Sequence, residues 1–363
     1  MKIGGTDKTQ FKNSLVIKNI NVTGHEQVVY CEDKSTGLKA IIAIHDTTLG
    51  PALGGTRMWN YSSQKEALND VLRLSRGMTY KAAISGLKLG GGKAVIIGDS
   101  KTKKNKALMC KFGQFVESLE GKYITAEDVG MSTKDMEYVR SQTKHVTGIP
   151  EKMGGSGDPS PVTAYGVYMG MKASAKFKWG SDKLKNRKVL IQGIGHVGEH
   201  LLKYISEEGA FVIINDINKE RLKELAYKYN ASTAIGDEIY DLDIDIYAPC
   251  ALGATVNPDT IKRLKCEIIA GAANNQLADE QRDGQLCLDK GICYAPDFLI
   301  NAGGLINVYS EINGYNRDDS LRQTTEIYNT TLEILLKAEK EGTTTHNAAL
   351  KIAKQRISHI INN

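Results

Sequence analysis

A set of spaced glycines in the second half of the chain forms the clearest chemical pattern in the sequence. Gly193, Gly195 and Gly198 make a G-x-G-x-x-G pattern. A short apolar run precedes it and a helical stretch follows it, which is the context that a dinucleotide-binding turn requires. The first glycine permits a tight turn, the second lets the backbone approach a pyrophosphate, and the third lets the helix pack on the strand. The predicted cofactor-binding turn comprises Gly193, Ile194, Gly195, His196, Val197 and Gly198.

One acidic residue bears on the choice of cofactor. Asp216 ends the next predicted strand, 211–215, where a carboxylate can accept hydrogen bonds from the ribose hydroxyls of adenosine. A carboxylate in that place repels a 2′-phosphate, so the sequence favours NAD over NADP. The glycines alone also fit an ordinary tight turn. The strand, the glycines and the acid together favour a nucleotide site.

Two lysines occupy places that are unusual for surface charges. Lys93 follows three glycines at the start of an apolar strand, and Lys81 lies near the end of an amphipathic helix beside Met78. The Gly-Gly-Gly-Lys stretch lacks the Ser or Thr after Lys that a phosphate-binding P-loop requires. We therefore expect these two lysines to differ from the solvated lysines elsewhere in the chain.

The rest of the sequence predicts two α/β domains that carry these residues. In the first half, two β-rich runs flank the turn 34–37, and a capping box at 63–66 opens a helix. Strands follow at 94–97 and 123–126. After the glycine-rich stretch 154–159, short apolar strands alternate with helices, which predicts a parallel, doubly wound sheet.

The overall composition excludes several classes of protein. The 363 residues are 41% hydrophobic and 25% charged, which is typical of a globular chain of about two domains. Basic and acidic residues are spread along the chain, and the lysines of 101–106 are expected in a solvated loop, so no nucleic acid is expected as a partner. The six cysteines lack metal-binding spacing, so we expect reduced thiols, no metal and a cytoplasmic location. No signal peptide and no apolar run of ~18 residues is seen, so no membrane association is expected.

These residues lie in longer motifs that closely resemble those of the glutamate/leucine/phenylalanine/valine dehydrogenases. The resemblance extends over nearly the whole chain from about His25 onward. Its motifs are, in chain order, PALGGTRM (51–58), RGMTYK (76–81), GLKLGGGK (86–93), TAEDVG (125–130), TAYG (163–166), AANNQL (272–277) and APDFLINAGG (295–304).

The resemblance implies roles for individual residues. Lys81 corresponds to the lysine that binds the substrate α-carboxylate, Lys93 to the catalytic lysine, and Asp128 to the acid that assists proton transfer. The other substrate-binding residues are expected to be Gly54, Gly55, Met78, Leu53, Leu305 and Val308, with Ala126 nearby. The residues near the nicotinamide are expected to be Thr163, Asn274 and Asn301.

The resemblance also implies a fold and a reaction. It implies an N-terminal α/β substrate domain of residues 1–150 with 340–363, a Rossmann-type NAD-binding domain of residues 151–339, and a cleft between them. The reaction would transfer a hydride from the α-carbon of an L-amino acid to NAD, and water would convert the resulting iminium to a 2-oxo acid and ammonia. Aliphatic pocket residues favour a branched-chain substrate, with leucine first. The family also suggests a homo-oligomer.

The sequence is also compatible with other substrates and with another class of protein. The substrate could be phenylalanine, tryptophan, valine or glutamate, and Leu305 stands where relatives often carry valine, which bears on side-chain size. A nucleotide-binding sensor without catalysis is the alternative from another class, although it would not need Lys81, Lys93 and Asp128 together. We expect His196 to be a helix-start residue rather than a catalyst. About a dozen N-terminal residues precede the matching part, and we expect them to form an arm or to be disordered.

Overall fold

A computed structural model describes residues 15–361 and divides them into two compact units. The first unit holds 15–83 and 88–157, and the second holds 84–87 and 158–361. The expected arm falls on residues 1–14, outside the described part. The structure groups the last helix with the second unit, unlike the expected assignment of 340–363 to the first, because that helix packs on the helix before it. Which unit binds substrate and which binds NAD stays a prediction.

The first unit is built on a mixed six-stranded sheet. Its strands are β1 Leu15–Asn19, β2 Gln27–Asp33, β3 Leu38–Asp46, β4 Ala52–Trp59, β5 Gly90–Ile97 and β6 Tyr123–Glu127. Their order across the sheet is β1-β2-β3-β5-β4-β6. The pairs from β1 to β5 are antiparallel, and β4 runs parallel to both β5 and β6. The antiparallel pairing of β2 with β3 confirms the hairpin predicted around 34–37.

Helices cover both faces of this sheet. They are α1 Gln64–Ile84, α2 Lys106–Glu117 and α3 Thr133–Arg140. Ala67 and Val71 of α1 pack on one face, and the apolar sides of α2 and α3 pack on the other. At the start of α1, the backbone N–H of Glu66 donates to Ser63 Oγ, as the capping box predicts, but the Glu66 carboxylate accepts from Ser62 instead of Ser63.

The second unit is built on a fully parallel sheet of six strands. They are β7 Lys188–Gln192, β8 Phe211–Asn215, β9 Ser232–Thr233, β10 Ile246–Pro249, β11 Ile268–Ile269 and β12 Cys293–Tyr294. The order is β12-β11-β10-β7-β8-β9. Numbered from β7, this is the 3-2-1-4-5-6 order of the Rossmann fold. The predicted doubly wound sheet is therefore confirmed.

Nine helices of the second unit surround this sheet within the described residues. They are α4 Ser160–Trp179, α5 His196–Glu207, α6 Lys219–Tyr229, α7 Pro258–Arg263, α8 Arg282–Asp289, α9 Asp297–Ile300, α10 Gly303–Ser310, α11 Arg317–Glu341 and α12 Thr345–Ile361. Helices α4 and α5 contact one another and the sheet, while α7 and α8 contribute to the core that also includes Leu190 and Tyr247. Helices α10 and α11 pack on α4. None of the described helices has the length and apolar character needed to cross a membrane.

Candidate active site

Strand register in the first unit brings several predicted site residues onto one face of the sheet. Residues directly opposite on neighbouring strands share a face. Leu53 pairs with Gly91 and Thr56 with Ala94, so Gly55 is level with Lys93. Gly55 in turn pairs with Ala126 on the other side. Leu53, two residues before Gly55, shares this face because side chains alternate along a strand.

Lys93 and Asp128 form an ion pair beside this face. Lys93 Nζ lies 2.8 Å from Asp128 Oδ2, and Lys93 is only 7% exposed. Gly55 makes this approach possible, because a Cβ atom on Gly55 would lie 2.8 Å from Asp128 Cβ and 2.7 Å from Glu127 O. The structure thus places the two residues predicted for proton transfer in direct contact.

The loop that carries Asp128 is anchored by its neighbours. The N–H of Met58 donates to Val129 O at 2.9 Å. Lys104 Nζ donates to Gly130 O at 3.0 Å and lies 2.7 Å from a carboxylate oxygen of Asp135. The prediction of a solvated loop at 101–106 is therefore wrong for Lys104, because this half-buried side chain fixes the Asp128 loop.

The electrostatic surroundings of Asp128 keep its carboxylate ionised. Burial acts to raise the pKa of Asp128, but attraction to Lys93 and then to Arg57 outweighs burial, so the pKa lies below its ordinary value of 3.8. Arg57 was not predicted as a site residue. Its position in the GGTRM motif, two residues after Gly55 and so on the same strand face, is the signal that points to it.

Glycines bring the end of α1, which carries Lys81, close to the sheet. A Cβ atom on Gly91 would lie 2.1 Å from the backbone N of Thr79. A Cβ atom on Gly54 would lie 1.8 Å from Gly92 O and 3.4 Å from Met78 Cγ. The run of three glycines therefore belongs to β5 itself and lets α1 pack directly against it. Lys81 is half-buried in the last turn of α1.

Two histidines, one just before β2 and one near the end of β3, connect α1 to the sheet. His45 Nδ1 lies 2.8 Å from Thr79 Oγ1, and His25 Nε2 lies 3.0 Å from Ser75 Oγ. The two rings are 4.9 Å apart, edge to face. His45 sits at the bulge where β3 shifts its register against β5. Burial lowers the pKa of both histidines.

We expect these histidines to make stability depend on pH. Their pKa values in the folded protein lie below the ordinary value of 6.5, so the unfolded chain binds protons first as the pH falls. The free energy of unfolding should hold its full value above about pH 6.5 and decrease as the pH drops through the lowered pKa values. Denaturant titrations of the wild type and His45→Gln between pH 7 and 5 test this, with the exposed His359→Gln as control. An unchanged slope in His45→Gln would contradict it.

In the second unit, the three glycines of the predicted cofactor turn have different surroundings. Gly193 has a φ of +98°, and a Cβ atom there would lie 2.5 Å from Ala251 Cβ. A Cβ atom on Gly198 would lie 2.1 Å from Gly193 O. Gly195 is exposed, with no protein atom within 4 Å of a Cβ atom added there. The first and third glycines thus serve turn and packing, and the second leaves open space at the N-terminus of α5, where no side chain caps the helix.

Asp216 is held against this turn by backbone N–H groups. Its Oδ2 accepts from Ile194 N at 2.9 Å, and its Oδ1 accepts from Asn218 N at 2.8 Å. Each oxygen keeps a second lone pair for another donor. Ile217, next to Asp216, and Leu252, just beyond β10, are exposed apolar side chains at the carboxyl ends of parallel strands.

The residues predicted near the nicotinamide are only partly brought together. Asn301 is buried, and its Nδ2 donates to Asn274 Oδ1 at 2.8 Å and to Ala272 O at 3.1 Å. Thr163 Oγ1 donates to Pro159 O at 3.0 Å. A Cβ atom on Gly304 would lie 2.8 Å from Thr163 Oγ1, so Thr163 of α4 lies beside the start of α10.

The remaining predicted residues occupy helix positions. Leu305 and Val308 lie three residues apart on α10 and therefore on one side of it; Leu305 is buried and Val308 half-buried. His196 begins α5, and its side chain is 80% exposed, 3.9 Å from a carboxylate oxygen of Asp158. His196 therefore has the helix-start position that was expected.

The sequence and the fold both match known proteins. A family model described as "Glu/Leu/Phe/Val dehydrogenase, dimerisation domain" matches residues 25–145, and one described as "Glutamate/Leucine/Phenylalanine/Valine dehydrogenase" matches 154–218 and 214–362. Leucine dehydrogenase from Bacillus cereus is 52% identical over 338 residues, 93% of this chain and 92% of that protein. Valine dehydrogenase from Streptomyces virginiae is 47% identical over 338 residues, 92% of this chain and 94% of that protein.

A solved structure agrees with these sequence matches. The crystal structure of L-tryptophan dehydrogenase from Nostoc punctiforme superposes with a TM-score of 0.85 at 44% identity, covering 94% of this chain and 98% of that chain. The matched regions include both the Lys93–Asp128 pair and the glycine turn of the parallel sheet. The chain therefore belongs to the glutamate/leucine/phenylalanine/valine dehydrogenases, a family of amino-acid dehydrogenases.

Proposed function

We propose that the protein catalyses the NAD-dependent oxidative deamination of a branched-chain aliphatic L-amino acid, leucine first, to the 2-oxo acid and ammonium. The observation that carries this proposal is the buried Lys93, whose Nζ lies 2.8 Å from Asp128 Oδ2. Deamination requires a group that exchanges a proton with water at the α-carbon, and an amine beside a carboxylate supplies one. A sensor without catalysis has no use for this pair.

The residues of this chain then have distinct tasks. Bound NAD would supply a hydride acceptor for the α-carbon, and loss of the hydride would leave the substrate as an iminium. Lys81 neutralises the substrate α-carboxylate. Neutral Lys93 takes a proton from water as the water oxygen bonds to the α-carbon, and ionised Asp128 stabilises the ammonium so formed. Lys93 returns the proton to the departing nitrogen. As the carbon–nitrogen bond breaks, Lys93 takes the remaining proton from the hydroxyl group, so that ammonia and the 2-oxo acid are released.

The second unit has the features that NAD requires. The uncapped N-terminus of α5 and the open space at Gly195 fit a pyrophosphate. Asp216, fixed by the N–H of Ile194, fits the ribose hydroxyls. Exposed Ile217 and Leu252 offer apolar contacts to an adenine ring. Asn274 and Asn301 offer amide groups for the nicotinamide end.

Replacing Asp216 should relax the choice of cofactor. The wild type is expected to use NAD at least about a hundredfold more efficiently than NADP, because like charges at contact distance repel by several kcal/mol. Asp216→Ser should raise kcat/KM for NADP and leave kcat with NAD within about threefold, because the chemistry takes place far from the adenosine ribose. Asp216→Asn, which keeps an acceptor for the Ile194 N–H, separates loss of charge from loss of this bond. Equal use of both cofactors by the wild type would disprove this role for Asp216.

The substrate side chain and the assembly state complete the proposal. Leu53, Leu305 and Val308 favour leucine, isoleucine and valine. Valine is the second candidate, because the bulk of Leu305 favours shorter side chains. We also propose a homo-oligomer, in keeping with the dimerisation-domain model that residues 25–145 match. A cytoplasmic location is in keeping with the six free cysteines.

Formation of NADH from a panel of L-amino acids tests the proposed function. Purified protein is given NAD and leucine, isoleucine, valine, phenylalanine, tryptophan or glutamate, and kcat/KM is compared. The three aliphatic substrates should react within about a hundredfold of one another, because one methylene in an apolar pocket is worth about 1–3 kcal/mol. Higher efficiency with phenylalanine or tryptophan than with leucine would contradict an aliphatic specificity, and inactivity with all six would contradict the reaction class.

A further inference from the structure

Arg57 connects Asp128 to a second carboxylate on α1. Arg57 Nε lies 3.2 Å from Asp128 Oδ2, and one terminal nitrogen of the same guanidinium lies 3.0 Å from Asp70 Oδ2. All three side chains are largely covered, with exposed fractions of 24% for Arg57, 23% for Asp128 and 17% for Asp70. A planar guanidinium can contact two carboxylates in a fixed geometry, which a lysine cannot do.

Asp70 is itself held in place. Tyr61 OH donates to Asp70 Oδ2 at 2.7 Å, and Arg73 contacts Asp70 Oδ1 at 3.1 Å. A continuous chain of contacts therefore runs from Tyr61 through Asp70 and Arg57 to Asp128 and on to Lys93. Every carboxylate in it has a second partner, so loss of Arg57 leaves neither Asp70 nor Asp128 unpaired.

Arg57 and Lys93 compete for the same oxygen. Asp128 Oδ2 is 2.8 Å from Lys93 Nζ and 3.2 Å from Arg57 Nε. The guanidinium charge therefore offsets part of the negative charge that faces Lys93. Without it, Asp128 would attract the ammonium form of Lys93 more strongly.

We propose that Arg57 is a positioning residue that fixes the Asp128 carboxylate and weakens its attraction for Lys93, and that Arg57 is anchored in turn by Asp70 and Tyr61. This proposal rests on the proposed function, because it assigns Arg57 a task in the same proton exchange. Arg57 acts through Asp128 and has no assigned contact with substrate or cofactor.

Other ionisable groups surround the Lys93–Asp128 pair and contribute to the electrostatic potential there. One of these groups is Tyr123 on β6, whose pKa is raised mainly by burial and to a lesser degree by Asp128. The Asp128 loop contains Glu127, and Lys104 contacts the same loop at Gly130 O. These groups are unchanged when Arg57 or Arg73 is replaced, so a difference between such variants reports the charge at those positions.

Arg73 provides a matched control. It is an arginine that contacts the same Asp70, but its side chain is 59% exposed and it lies against Asp70 Oδ1, whereas Arg57 lies against Oδ2. Arg57→Gln and Arg73→Gln remove the same charge from the two sides of Asp70. A purely structural role of the network predicts similar effects of the two changes on thermal stability and no movement of the pH profile.

The pH dependence of leucine oxidation by the wild type, Arg57→Gln, Arg57→Lys and Arg73→Gln tests the proposal. In Arg57→Gln, kcat at neutral pH should fall at least about tenfold with KM for leucine within about threefold, and the rise of kcat with pH should move up by about one pH unit. Arg57→Lys restores the charge and should return the pH profile toward that of the wild type. Its kcat should still be reduced, because lysine lacks the planar fork that fixes both carboxylates. Arg73→Gln should keep the wild-type profile.

The outcomes separate this proposal from the proposed function. An active wild type whose Arg57→Gln variant keeps both kcat and the pH profile would overturn the role of Arg57 alone. The role of Arg57 would also be overturned if Arg73→Gln moved the pH profile of kcat as far as Arg57→Gln does. If Arg57→Gln fails to fold, full wild-type kcat in Arg57→Lys would overturn the role. A wild type that is inactive with every amino acid tested would overturn the proposed function, and this inference with it.

Discussion

Lys93→Ala is expected to lower kcat for leucine oxidation by about a hundredfold to ten-thousandfold, the range that a general acid–base group contributes. The side chain is buried, 2.8 Å from Asp128, and the variant leaves that carboxylate without the cation that shares its oxygen most closely. Binding of NADH should stay near normal, because Lys93 lies in the first unit and the glycine turn with Asp216 in the second. Steady-state kinetics and a fluorescence titration with NADH measure the two quantities.

Asp128→Asn is expected to have a similarly large effect for a different reason. The amide occupies the same volume but carries no charge, so it cannot stabilise the ammonium form of Lys93. Because the pKa of Asp128 lies below 3.8 in the folded protein, the wild-type carboxylate is ionised throughout the working pH range. The wild-type rate should therefore show no loss from protonation of Asp128 within that range.

Lys81→Ala is the comparison that separates catalysis from binding. It removes the counter-charge of the substrate carboxylate and should raise KM for leucine more than it lowers kcat. If Lys93→Ala kept more than about a tenth of wild-type kcat, Lys93 would not be the proton-exchanging group.

Glutamate is expected to be at least about a thousandfold poorer than leucine in kcat/KM. The residues assigned to the substrate side chain, Leu53, Leu305 and Val308, are all aliphatic and cannot pair with a γ-carboxylate. An unpaired buried carboxylate costs several kcal/mol, and each 1.4 kcal/mol corresponds to a factor of about ten. Initial rates with the two amino acids at saturating NAD give the ratio.

Norleucine is the matched control for this comparison, because its unbranched side chain has a length similar to that of glutamate and no charge. It should react far better than glutamate. Leu305→Ala should improve the larger apolar substrates relative to valine, since it removes bulk from the side-chain site. Efficient oxidation of glutamate by the wild type would show that a cation reaches the side chain, contrary to this assignment.

The second unit was predictable from the sequence because its strands are short, apolar and separated by amphipathic helices. The apolar run before the glycine turn is a strand, the stretch after it is a helix, and the strand at 211–215 has the expected bounds. Helix α10 was missed, because it begins with two glycines, which disfavour helix locally. The structure explains them: a Cβ atom on Gly303 would lie 2.2 Å from Val162 O, so close packing on α4 overrides propensity.

Glycines also made part of the first unit difficult to predict from the sequence. Strand β4 contains Gly54 and Gly55, which weaken a strand pattern, yet both are needed where other backbone and Asp128 approach. The contact of Lys93 with Asp128 depends on pairing between strands that are distant in sequence, so spacing alone could not predict the 2.8 Å separation. The contacts of Arg57 and Lys104 are likewise non-local, and neither residue was predicted.

Transfer of deuterium from L-leucine deuterated at its α-carbon tests the central claim most directly. Hydride abstraction by NAD predicts that the label appears on the nicotinamide ring of the NADH formed, together with one equivalent each of the 2-oxo acid and ammonium. Lys93→Ala should slow this transfer without redirecting it. NADH that carries no deuterium, or consumption of leucine without the 2-oxo acid, would contradict oxidative deamination by hydride transfer.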